Sequence, residues 1–105
     1  MIRHLAFFTA RDPADLPRMR ETFATLASIP GVRGFEVGEG TVADDRSDDR
    51  VDLVVHALFD DAEALAAYKA HPTYLASVAQ VRPLRELRLA VAYEVDAPAP
   101  PPPPR

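Results

Sequence analysis

Three histidines, three tyrosines and no cysteine set the chemistry open to this chain. His4 lies in the apolar opening run, and Tyr68, His71 and Tyr74 fall close together in Tyr68-Lys69-Ala70-His71-Pro72-Thr73-Tyr74. An imidazole titrates near neutral pH and suits proton transfer, whereas a phenol, with its pKa near 10, is a donor aimed at developing negative charge. A chain without cysteine has no thiol nucleophile, thiolate metal site or disulfide. Each residue also has a structural reading. His4 on an interior strand is either a hydrogen-bonded core histidine or a catalyst. His71 before Pro72 also suits a helix end. Tyr68, on a helical face with Leu65, packs or donates. The acidic run Asp44, Asp45, Asp48 and Asp49 is interspersed with Arg46 and Arg50 and lacks calcium-loop spacing, so it reads as a solvated loop. No metal site and no cofactor is expected.

The elements that must position these groups follow from periodicity. Ile2 to Thr9 reads as a strand with Leu5 and Phe7 on one face and His4, Ala6 and Phe8 on the other. Asp12-Pro13 predicts a helix start, and Leu16, Met19, Phe23, Leu26 and Ala27 recur at helical spacing until Ile29-Pro30-Gly31 ends the run. Val32 to Val42 reads as a second strand whose glycines at 34, 38 and 40 mark a bend or bulge. After a charged loop over 43–50, Val51 to Phe59 forms a hairpin partner. Asp60 caps the next helix, with Glu63 completing a capping box. That helix stops near His71-Pro72, a short helix spans Thr73 to Val81, and Leu87 to Val95 alternates as the last strand.

The order βαββ(αα)β predicts an α+β domain, a ferredoxin-like split βαβ antiparallel sheet with helices on one face. The bare face would carry Leu5, Phe7, Val54 and Leu58, too apolar for water, so a second sheet is expected against it. The domain is placed at residues 1–96, followed by a proline-rich tail at 97–105 that cannot join a sheet ladder.

At 105 residues the chain supports one core, and its composition, 48% hydrophobic and 27% charged, is that of an ordinary globular protein. A net charge of -4 without a basic cluster argues against nucleic acid. No apolar run reaches the roughly 20 residues of a spanning helix, so no membrane partner is expected. The opening segment is too briefly apolar for a signal peptide, and a cytoplasmic location is expected.

Several short segments together resemble the Dabb family, the stress-responsive dimeric α/β-barrel domains. They are Met1-Ile2-Arg3-His4, Ile29-Pro30-Gly31-Val32, Phe35-Glu36-Val37-Gly38, Phe59 through Tyr68-Lys69-Ala70-His71-Pro72, and Tyr93-Glu94-Val95. The resemblance implies a homodimer in which two protomers form a dimeric α/β barrel, with Leu5, Phe7, Val54, His56 and Leu58 at the interface. It also implies a pocket inside each protomer. His4, Tyr68, His71 and Tyr74 would be its working residues, Phe8, Phe23, Glu36, Leu53 and Val55 would belong to the ligand pocket, and Thr22 would lie nearby. In olivetolic acid cyclase, a member of this family, such a pocket cyclises a polyketide thioester, using a segment Tyr-x-x-His-Pro-x-His whose last histidine is the base. Here that position is Tyr74, and Ala92 replaces the aspartate frequent before the tyrosine corresponding to Tyr93. The expected function is a homodimer binding a small aromatic or acyl ligand. A polyketide cyclase or lyase, or a structural stress-associated dimer, is the alternative.

Overall fold

Alternation along β1 (Ile2–Ala10) buries His4, Ala6, Phe8 and Ala10 under the helices and turns Arg3, Leu5 and Phe7 the other way. The computed structural model describes residues 1–40 and 50–96. The Asp44, Asp45, Asp48 and Asp49 run and the proline tail lie outside the described residues. β1 is central, antiparallel to both β3 (Leu53–Phe59) and β4 (Arg85–Glu94), and β2 (Gly34–Glu39) completes the order β2-β3-β1-β4. This is the expected ferredoxin-like sheet.

The first helical run is tightened at both ends. The Asp12 carboxylate accepts the Ala14 N–H at 3.0 Å and opens a 3-10 turn, Pro13–Asp15, before α1 (Leu16–Ala24) and a second 3-10 turn, Thr25–Ser28. Met19, Phe23 and Leu26 bury against the sheet. Gly31 then takes φ +91°, a left-handed turn that favours glycine.

Two expectations are corrected. The β2–β3 register runs unbroken from Gly34 to Glu39, so glycines 34 and 38 mark no bulge; the irregularity lies between Thr9 and Ala10, where β1 leaves β4. At Gly40 the need for glycine is steric, because a Cβ there would stand 2.5 Å from the Val51 carbonyl oxygen. The second correction concerns α2 (Ala62–Ala70). Its cap is Asp61, which accepts the Ala64 N–H at 2.8 Å, while Asp60 holds the Arg33 guanidinium in a two-bond fork at 3.0 and 2.9 Å. A carboxylate engaged by that fork is not free to cap, so the helix begins one residue later and Glu63 falls outside capping-box spacing.

α3 (Pro72–Val81) follows α2 directly, and with α1 the two helices cover one side of the sheet. Tyr68, Phe59, Met19 and Leu53 are the largest fully buried side chains between the layers. The opposite side is bare and apolar. Leu89, Val91 and Tyr93 of β4 are 59%, 47% and 39% exposed there, beside Leu5 and Phe7 of β1 and Val54 of β3. Among the described residues no helix is long and apolar enough to cross a membrane.

Candidate functional site

A cavity of about 320 Å³ opens between the helical layer and the sheet. Its floor is His4, Ala6 and Phe8 of β1 with Val55 of β3, all side chains that the strand alternation sends toward the helices. Phe23 and Leu26 close one side, Tyr68 of α2 and Tyr74, Ser77 and Val81 of α3 another. Leu75 and Val78 of α3 and the arginines Arg82, Arg85 and Arg88 complete the lining, Arg82 exposed and the other two arginines half-buried.

The aromatic groups sit in one chain of contacts. The His4 and Tyr68 rings lie edge to face with centroids 6.5 Å apart, and Tyr68 packs at 4.8 Å on Phe59 and at 4.9 Å on Tyr74. Arg88 Nη2 donates a long 3.4 Å bond to the Tyr74 hydroxyl. His4 is 3% exposed, and its Nδ1 is buried with no hydrogen-bond partner among the described residues. Such an orphan costs about 1–3 kcal/mol, which makes it a feature in need of a function.

Burial, with the Lys69 and Arg88 cations adding to it, lowers the His4 pKa to about 4. The imidazole is therefore neutral at pH 7. Burial first and the neighbouring Tyr74 second push the Tyr68 phenol well above its ordinary value, so Tyr68 remains a proton-bearing donor. Ala92 pairs in register with His4 across β1 and β4. The aspartate expected there by resemblance would have stood beside His4; in its place the nearby charges are cationic.

A pH dependence follows. The unfolded chain binds a proton at His4 below about pH 6.5, whereas the folded chain resists it until about pH 4. Stability should thus fall with pH across that window, by about 2 kcal/mol between pH 7 and pH 5 from this residue. Urea unfolding at the two pH values measures the slope, which should shrink in His4→Gln.

Of the residues singled out in the sequence, His4, Tyr68, Tyr74, Phe8, Phe23 and Val55 line the cavity. Leu53 is fully buried in the core beside it. His71 is not in the lining: it ends α2 and caps α3, its Nδ1 accepting the Thr73 N–H at 3.1 Å. Loss of that cap in His71→Ala should cost about 1 kcal/mol in urea unfolding. Glu36 is exposed and in register with His56, on the side away from the helices, because Phe35 and Val37 take the inward positions of β2. Thr22 bonds to the Arg18 carbonyl and to Gln80 on the outer surface. Sequence reasoning missed the three arginines. The signal was available in β4, where Leu89, Val91 and Tyr93 form the outward stripe and Arg88 therefore points inward.

Residues 2–95 match the family described as Stress responsive A/B Barrel Domain. Among solved structures, a dimeric ferredoxin-like protein of unknown function from Thermobifida fusca is 26% identical with a TM-score of 0.75, covering 90% of each chain. A Dabb family protein with a ferredoxin-like fold from Mesorhizobium loti is 24% identical with a TM-score of 0.73, over 91% of this chain and 97% of that one. An Arabidopsis thaliana protein superposes with a TM-score of 0.79 at 18% identity, covering 94% of this chain and 99% of its own. No curated protein matches this chain in sequence.

Proposed function

The chain belongs to the Dabb family of stress-responsive A/B barrel domains, and from that premise we propose that it is a homodimer whose protomers each bind one small aromatic or acyl molecule between sheet and helices. The observation that carries this reading is the cavity of about 320 Å³, which joins an apolar interior to the unpartnered His4 imidazole. A concave apolar site of this size, with a few convergent polar groups, is what small-molecule recognition requires. Tyr68 supplies a donor that stays protonated, and neutral His4 offers one nitrogen lone pair and one N–H.

Dimerisation rests on the bare sheet face. Leu5, Phe7, Val54, Leu89, Val91 and Tyr93 make it apolar, and Arg3 on the same face has a buried Nε without a partner among the described residues. A second sheet would cover both. Described relatives of this fold include dimeric proteins.

Titration calorimetry of the dimer with 2-naphthol and with octanamide tests the pocket. Saturable binding at one site per protomer is expected, weakened at least about tenfold when Val78→Trp fills the cavity from α3. Absence of saturable binding, or binding indifferent to Val78→Trp, refutes the reading. A second reading, proton abstraction beside a carbonyl as in a cyclase or lyase, draws on the donor Tyr68 in the cavity but needs a stronger base than His4. The structural dimer without a ligand gains nothing from an orphaned imidazole in a cavity.

A further inference from the structure

Building on that pocket reading, we propose that its ligand carries an oxyanion head, a carboxylate or a phosphate, held by Arg82, Arg85 and Arg88 while its apolar body fills the cavity over His4 and Phe8. The lining contains these three arginines and no aspartate or glutamate. In a chain of net charge -4 that is a local reversal of sign. Outside the cavity, Arg20 pairs with Glu39, Arg33 with Asp60 and Arg50 with Asp52, each at 2.8–2.9 Å, while Arg3, Arg11 and Arg18 have no carboxylate partner among the described residues but do not converge on one site. None of the three cavity arginines has a carboxylate partner among the described residues. Arg88 donates only the long 3.4 Å bond to the Tyr74 hydroxyl among the described residues.

Placement supports the assignment. Arg82 caps α3, Arg85 begins β4, and Arg88 lies one turn of pleat further, in register with Phe8 on the helix side of the sheet. The three therefore come from a short connection held rigid at both ends: Leu84 N–H bonds to the Val81 carbonyl at 2.8 Å, and Arg11 N–H bonds to the Leu84 carbonyl at 2.9 Å. Guanidinium groups offer paired donors that match an oxyanion, and partial burial strengthens them relative to open water. The polar end of a ligand would meet these cations while its apolar end reached Phe23, Leu26 and Val55.

Calorimetry with octanoate, octyl phosphate and neutral octanamide provides the test. At least one anion should bind roughly tenfold or more tightly than the amide, the scale expected of one charge-assisted hydrogen bond. Which of the two anions gains more identifies the head group. The preference should fall to within about threefold in Arg88→Gln and in Arg85→Gln, and in the unaltered protein it should weaken as sodium chloride is raised. Octanamide binding as tightly as both anions would overturn the oxyanion assignment and leave the pocket reading standing. Failure of all three compounds to bind would overturn both. The salt series requires no variant, so a substitution that fails to fold does not remove the test.

Discussion

Phe7→Asp is expected to turn a dimer into poorly folded monomers, at a cost of about 3–5 kcal/mol per protomer, the scale of an unpaired buried charge. Phe7 stands on the central strand with Val54 on one side of it and Leu89 on the other. Within one protomer the ring is only half-buried, and Leu89 is 59% exposed. An aspartate there would remain hydrated in a lone chain and would disturb its stability by little. If instead a second sheet packs on this face, two carboxylates enter one apolar layer and lose their hydration there. Sedimentation of the unaltered protein should give twice the chain mass, and its urea midpoint should rise with protein concentration. Phe7→Asp should abolish both, while Phe7→Leu, which keeps the face apolar, should retain them. A stable monomer at micromolar concentration, or a Phe7→Asp variant with unchanged mass and midpoint, would exclude the sheet-to-sheet dimer.

The strength of that expectation traces to what strand periodicity can tell. An alternation of two assigns faces unambiguously once a strand is identified, so the division of β1 into Leu5 and Phe7 against His4, Ala6 and Phe8 was legible before any coordinates. Element order was legible for the same reason, because each helix carried a cap or a proline at its start. The same arithmetic failed where a second constraint competed. Asp60 and Asp61 are chemically equivalent caps, and only the fork from Arg33, 27 residues away in sequence, decides between them. Glu36 lies outside the pocket because Phe35 and Val37, the apolar alternates of β2, pack against the core and turn it to the other face. His71 could cap a helix or enter a pocket, and its bond to Thr73 N–H selects the cap. The arginines went unnoticed as a group because they occupy a helix end, a connection and a strand, and only the turn at Leu84 gathers them. Local chemistry thus assigns the faces of β1 and the order of the elements, whereas long-range pairing decides the cap of α2 and which polar groups meet.

The other large effect concerns Tyr74, and it separates binding from catalysis. Tyr74 lines the cavity 4.9 Å from Tyr68 by ring centroids, at the position where the resemblance leads one to expect the catalytic histidine. That substitution removes the imidazole that would act as base, and neutral His4, with a pKa near 4, is a weak base for carbon acids. The unaltered protein should therefore be slow in a cyclase-type assay on a polyketide-like thioester, even where it binds the compound. Tyr74→His places an imidazole beside the donor Tyr68 and within reach of Arg88, whose charge would keep the new ring neutral and so available to accept a proton. General-base catalysis is worth about a hundredfold to ten-thousandfold in rate, and a gain in kcat of that order is expected with ligand affinity changed by little. The new activity should rise with pH as the introduced imidazole loses its proton, and it should fall sharply in the double variant with Tyr68→Phe, which removes the donor without emptying the ring site. A single variant that binds as before and shows no gain would remove the cyclase chemistry from this cavity. Fast turnover by the unaltered protein that persists in His4→Ala would locate the chemistry on groups other than these.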